Sequence, residues 1–151
     1  MEIERKYLVK TLPPDYTRHP LHHIEQAYLC TEPVVRIRRQ DDEYWLTYKS
    51  AGLLSREEYN LALAKEAFSH LLPKADGLVL KKRRYRIPLD GGLTAELDVF
   101  CADYDGLYLV EVEFSSETQA LEFIPPDWFG EEVTYLGSYS NSHLSKQKQA
   151  F

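Results

Sequence analysis

Most of this chain alternates apolar or aromatic residues with charged ones in short stretches, the period-two signature of β-strands with two unlike faces. Such stretches run roughly over 1–9, 23–32, 34–40, 43–50, 52–59, 78–88, 93–101 and 107–114, which predicts eight strands. Turn signals separate them, among them Glu32-Pro33, Asp41-Asp42, Ala51-Gly52, Asp90-Gly91-Gly92 and Tyr104-Asp105-Gly106. Over 60–72 the spacing changes: Leu61, Ala64, Phe68, Leu71 and Leu72 recur every three or four residues before Pro73, which predicts a helix. A second helix starts at Ser115 or Ser116 and ends before Pro125-Pro126, and a third closes the chain near 142–149. No internal repeat or linker divides the chain, so residues 1–151 read as one domain.

Because strand side chains alternate between faces, each strand can be sorted by parity. Glu2, Glu4 and Lys6 stand against Ile3, Tyr7 and Val9; Arg36 and Arg38 against Val35 and Ile37; Arg56 and Glu58 against Ser55, Glu57 and Tyr59. Likewise Lys82, Arg84 and Arg86 oppose Tyr85 and Ile87, Glu96 and Asp98 oppose Leu97 and Val99, and Glu111 and Glu113 oppose Val110, Val112 and Phe114. One face is charged, with almost no Ser, Thr, Asn or Gln on it. Same-strand carboxylates such as Glu2 with Glu4, Glu96 with Asp98 and Glu111 with Glu113 stand about 7 Å apart, a costly arrangement unless a cation lies between them. Clustered cations, Arg36 with Arg38 and Lys82 with Arg84, ask for an anion in the same way. An eight-stranded antiparallel closed barrel, an α+β fold, gathers all these side chains into one lumen, and helices then cover its apolar outer face.

Composition narrows the picture. Eighteen Lys and Arg against 24 Asp and Glu give a net charge of −6, and 44 % of residues are hydrophobic, so the chain is neither a nucleic-acid coat nor disordered. No apolar run approaches the ~18 residues that span a bilayer, and the charged opening MEIERKYLVK lacks the apolar core of a signal peptide, so a cytoplasmic protein without membrane contact is expected. Cys30 and Cys101 form no CxxC and are expected to be reduced and structural. Carboxylates without His or Cys favour hard cations, Mg²⁺ or Mn²⁺, while Arg and Lys suit phosphates; together they suggest a metal-bound polyphosphate.

These residues resemble the CYTH domain of the triphosphate tunnel metalloenzymes. The similarity is carried by Glu2-x-Glu4-x-Lys6, Gln26-x-Tyr28-Leu29, Arg36-x-Arg38, the Lys49 strand, Arg56-x-Glu58, Lys82-x-Arg84-Tyr85, Leu97-Asp98-Val99 and Gly106-Leu107 followed by Glu111-x-Glu113-Phe114. It continues through Trp128-Phe129-Gly130, Val133-Thr134 and Tyr139-Ser140-Asn141-Ser142. The resemblance implies a tunnel and a divalent-metal-dependent triphosphatase. It further implies that Glu2, Glu4, Glu111 and Glu113 bind metal with Asp98 as an additional ligand, and that Lys6, Arg36, Arg38, Lys49, Arg56, Lys82 and Arg84 hold the triphosphate. Lys6 and Tyr28 then activate water, and Glu58 and Glu96 are further lumen acids. Asn60 departs from the pattern, since many bacterial members carry an acid there.

Inorganic tripolyphosphate is the expected substrate, because no base-recognition pocket is evident. Thiamine or nucleoside triphosphates, the cyclisation of ATP by class IV-type adenylyl cyclases, and a non-catalytic polyphosphate-binding module are the alternatives. His19, His22 and His23 read as a surface loop, and His70 and His143 as exposed helical positions. Lys81, Arg83 and Arg86 read as surface charges, and Lys146 and Lys148 as a solvated helix face. An exposed apolar patch on the barrel's outside would favour a homodimer.

Overall fold

The computed structural model describes residues 1–146. In chain order the elements are β1 (Glu2–Val9), β2 (Leu21–Thr31), β3 (Val34–Gln40), β4 (Glu43–Lys49), β5 (Ser55–Arg56), β6 (Glu58–Ala62), α1 (Lys65–Leu71), β7 (Asp76–Pro88), β8 (Thr94–Cys101), β9 (Tyr108–Glu113), α2 (Glu117–Glu122), β10 (Phe129–Glu132) and α3 (Asn141–Lys146). All strand pairs are antiparallel, in the order β10-β1-β9-β8-β7-β2-β3-β4-β6, with β5 returning to β1. The predicted barrel therefore forms. Its eighth position is shared by β5 and β6, and β10 lies outside the ring.

The predicted strand over 52–59 is broken and displaced, for a local reason. Glu57 is held to Ser50, its N–H donating to the Ser50 hydroxyl at 2.9 Å and its carbonyl accepting from the Ser50 N–H at 3.0 Å. That kink lets β6 pair with β4 while β5 reaches β1, where Glu2↔Arg56 and Ile3↔Ser55 close the ring. Leu61, expected to open the helix over 60–72, instead pairs with Leu46 on β4, and the helix begins at Lys65 with Phe68 as its buried anchor. Strand β10 was not anticipated, since four residues are too few to show a period. It takes the second half of β1's edge, Tyr7↔Glu132 and Val9↔Phe129. The third helix begins at Asn141; the rest of its predicted range, with Lys148, lies outside the described residues.

The outward apolar face is buried in two places. Ile3, Tyr7, Val110 and Val112 pack with Phe123, Phe129 and Ala120, beneath α2 and the segment leading to β10. Ala27 and Ile37 pack under Phe68 of α1. Cover is incomplete: Tyr59 and Leu61 on β6 remain 57 % and 61 % exposed.

A third cluster occupies one end of the barrel interior, where Tyr28, Leu80, Phe100 and Leu109 pack with Leu144 of α3. Leu80 and Phe100 are in step with Lys82 and Asp98, so the strands run past the charged zone and the lumen is charged over only part of its length. Tyr104 donates to the Leu144 carbonyl at 2.9 Å, and α3 approaches β7 so closely that a Cβ on Gly77, at φ +70°, would collide with the Ser145 carbonyl. Both cysteines are free. His22 and His23 belong to β2 rather than to a loop, with the His22 Nδ1 at 2.7 Å from Asp41. Among the described residues no helix is long and apolar enough to cross a membrane.

Candidate active site

Strand parity brings the predicted charges to one place. Glu2, Glu4, Lys6, Tyr28, Arg36, Arg38, Lys49, Arg56, Glu58, Arg84, Glu96, Glu111 and Glu113 all line a single cavity of about 350 Å³. Arg86, set aside from sequence as a surface charge, reaches the same cavity with its side chain 49 % exposed and 3.9 Å from Glu96. Its two-residue step from Arg84 was the signal for it. The cavity is also lined by Gln40, Trp45 and Thr47, which share the faces of Arg38 and Lys49 by the same parity, and by Ser140, Asn141 and Ser142, to which the sequence assigned resemblance but no site role.

Two expected site residues do not line the cavity. The Asp98 carboxylate is buried in the wall and already saturated, accepting from Lys82 Nζ at 2.6 Å and from Arg84 Nε and NH2 at 2.8 and 2.9 Å. The Asp98 carboxylate thus faces its counter-ions Lys82 and Arg84 rather than the cavity. Lys82 is equally enclosed, with its ammonium 5.4 Å from the Phe100 ring centroid. Burial brings its pKa down to about 7, which Asp98 only partly opposes.

Much of the like-charge crowding expected within strands is relieved between strands. Lys49 Nζ lies 2.9 Å from both Glu2 oxygens and 3.2 Å from Glu58; Lys6 is 3.2 Å from Glu111; Arg84 is 3.4 Å from Glu96 and 3.7 Å from Glu111. Despite burial, Lys6 and Arg84 hold the Glu111 carboxyl well below the usual carboxylate range. The same pairing holds Lys6 above the ordinary lysine value, since Glu111 and Glu4 outweigh desolvation.

Charge is left unbalanced on two walls. On the acidic side, Glu4 of β1 and Glu113 of β9 oppose each other in register, and among the described residues the nearest cation to Glu4 is Arg56 at 4.0 Å. Burial, then the Glu111 carboxylate, pushes Glu4 up to about 8; burial, then Glu58 and Glu96, raises Glu113. On the basic side, among the described residues, Arg36 has only a 3.4 Å contact to the Thr47 hydroxyl and a buried Nε without a partner, while Arg38 is held by the neutral amide of Gln26. Burial, Arg36 and Arg84 bring Arg38 down to about 9. Asn60 accepts from the Thr47 hydroxyl at 2.6 Å and donates to Glu58 at 2.8 Å, so it ties the two walls without adding charge.

Among the described residues no three His, Cys, Asp or Glu side chains form a closed metal-ligating group; cations are interleaved with the acids. The donor set nevertheless fits a hard divalent cation. It is all carboxylate, and Glu4 and Glu113 carry a repulsion that such an ion would relieve.

Comparison with known proteins agrees with this geometry. The CYTH domain model matches residues 1–146. Inorganic triphosphatases of Nitrosomonas europaea and Acetivibrio thermocellus are 46 % identical over 147 residues (95 % of this chain, 96 % of the relative) and 32 % identical over 151 residues (96 % and 93 %). The crystal structure of the inorganic triphosphatase NE1496 superposes with a TM-score of 0.72 at 41 % identity, covering 97 % of this chain and 95 % of that one. HpAC1 from Hippeastrum shares the fold at a TM-score of 0.58 and 16 % identity, covering 80 % of this chain and 83 % of its own. With its charged lumen, strand order and motifs matched along the described chain, this protein belongs to the CYTH domain family.

Proposed function

We propose that the protein hydrolyses inorganic tripolyphosphate in this lumen, using a divalent metal ion, Mg²⁺ or Mn²⁺. The observation that carries the reading is the separation of uncompensated charge: Glu4 and Glu113 on one wall, Arg36 and Arg38 on another, within about 350 Å³. A condensed phosphate with a bound cation satisfies both. The identity to inorganic triphosphatases supports the same substrate.

In this reading Glu2, Glu4, Glu111 and Glu113 hold the metal, which supplies Lewis-acid charge stabilisation at phosphate oxygens when bound. Arg36 and Arg38 clamp the anion with their planar forks, and Lys6, Lys49, Arg56 and Arg84 complete the cradle. Positioning and neutralisation supply most of the catalysis in phosphoryl transfer. A proton must also leave the attacking water. Lys6, expected from sequence to accept it, is held charged by Glu111 and suits anchoring instead. Tyr28, whose side chain lines the cavity, is the hydroxyl that orients the water or relays its proton, while Lys82, enclosed in the wall against Asp98, holds the arginine wall in place without reaching the water.

Turnover of tripolyphosphate, ATP, thiamine triphosphate and pyrophosphate, each with Mg²⁺, Mn²⁺ or a chelator, tests the proposal. Metal-dependent release of phosphate from tripolyphosphate above the other substrates is the expected result. Preferential turnover of ATP would instead make Trp45, on the lumen wall opposite Arg38 in register, a stacking platform for a base. No turnover of any substrate, with a raised melting temperature in tripolyphosphate, would indicate a binding module. A homodimer, if formed, would use the uncovered β6 face around Tyr59 and Leu61, and sedimentation of the same preparation reads this directly.

A further inference from the structure

Gln26 on β2 lies directly opposite Arg38 on β3 in register and is completely buried. Its Oε1 accepts from Arg38 Nε at 3.0 Å and from Arg38 NH2 at 2.6 Å. Arginine offers only donors, so the amide must turn its oxygen to Arg38 and its NH2 away. That NH2 is buried with no partner among the described residues. The amide therefore gives up its own donor to keep the bidentate contact, a sacrifice that a residue serving only to fill space would not make.

Arg38 needs such a holder because no other hydrogen bond fixes its side chain among the described residues. No carboxylate lies within ion-pair distance among the described residues, and its neighbours Arg36 and Arg84 repel it. A carboxylate in place of Gln26 would hold the same fork but would also cancel its charge. A neutral amide orients the guanidinium and leaves its full charge available.

We propose that Gln26 is a positioning residue for triphosphate recognition: it fixes the Arg38 fork in the lumen wall and, being neutral, reserves the arginine's charge for phosphate oxygens. This rests on the triphosphatase reading. It predicts that Gln26 governs affinity for the anion far more than the rate of the bound complex.

The test compares full-length wild type, Gln26→Glu and Gln26→Leu by steady-state kinetics on tripolyphosphate with Mg²⁺, and by thermal melting without metal or substrate. Gln26→Glu is nearly isosteric. It is expected to raise KM at least tenfold, to change kcat by no more than about threefold, and to keep or raise the melting temperature. Gln26→Leu, which removes the holder without adding charge, is expected to raise KM by a smaller factor. A Gln26→Glu enzyme with wild-type KM overturns the proposal, as does a loss confined to kcat. Failure of both variants to fold also overturns it, because the residue would then be a core requirement. Absence of any tripolyphosphate turnover in wild type is a different result: it removes the triphosphatase reading, and this inference with it.

Discussion

Glu113 of β9 faces Glu4 of β1 across a strand pair, yet Glu111, two residues earlier on the same face, faces Lys6. One register thus gives one carboxylate an anion as its opposite and the other a cation 3.2 Å away. Replacing the two acids has opposite consequences for the metal-free protein. Glu113→Gln removes a repulsion and leaves apo stability equal or higher, whereas Glu111→Gln strands Lys6 and lowers it by roughly 3 kcal/mol. Both lose at least a hundredfold in turnover. Urea melts in chelator, followed by assays with Mg²⁺, check the pair.

Arginines on the basic wall divide the same way. Arg38 has no carboxylate partner among the described residues, so Arg38→Ala raises KM strongly with little loss of apo stability. Arg84 holds Asp98, Glu96 and Glu111, and Arg84→Ala leaves buried anions uncompensated, at a cost of about 3–5 kcal/mol. Equal destabilisation by the two substitutions would contradict this division.

Lys82 and Lys6 are separable by pH. With its pKa brought to about 7 by burial, Lys82 loses its charge in the folded protein as pH rises through that value. Unfolded Lys82 titrates near 10.4, so between about 7 and 10.4 the unfolded chain binds more protons at this site, and its contribution to stability rises with pH. Lys82→Met, which removes the buried ammonium, therefore flattens the rise of apo stability above pH 7 in urea melts, and Lys6→Arg, which keeps an anchoring charge, retains a measurable fraction of turnover. A Lys6→Arg enzyme without activity would give Lys6 the proton-accepting role.

Outside the lumen, Arg5 ties β1 to its neighbours. Its Nε and NH2 each donate to Glu132 of β10 at 2.7 Å, and NH1 donates to the Ala120 carbonyl of α2 at 2.7 Å. The Arg5 hydrogen bond holds the Glu132 carboxyl below its ordinary value. A depressed folded pKa means stability that is present above the unfolded value, near 4.3, and lost as pH falls through the folded one. Wild type therefore loses more stability between pH 5 and pH 3 than Glu132→Gln does, a difference that melts in citrate buffer measure.

Much of this site was legible because β-strand parity is strict: once Glu2-x-Glu4-x-Lys6 or Arg36-x-Arg38 is a strand, its charges share a face. Closure into a ring was legible too, since so many charged faces have no other low-cost arrangement. Partnership was not. Lys49 reaches Glu2, 47 positions away, through β5 and a kink at Glu57 that no local periodicity announces. For the same reason the pairing of Asp98 with Arg84, directly opposite it in register, does not show in the sequence. The apolar end of the barrel is less legible, because Leu80 and Phe100 share the faces of Lys82 and Asp98 near strand ends, where parity alone does not tell a packed lumen from an open rim.

The seam that completes the ring is two residue pairs long, and the Glu2 side chain lies on it, bridged by Arg56 at 3.3 Å. A cation drawn to Glu2 and Glu4 would bind at the weakest hoop of the cask. Occupancy and backbone opening are then thermodynamically linked, so amide hydrogen exchange at residues 2–4 and 54–56 should slow on loading while the long β2–β7 pairing hardly changes.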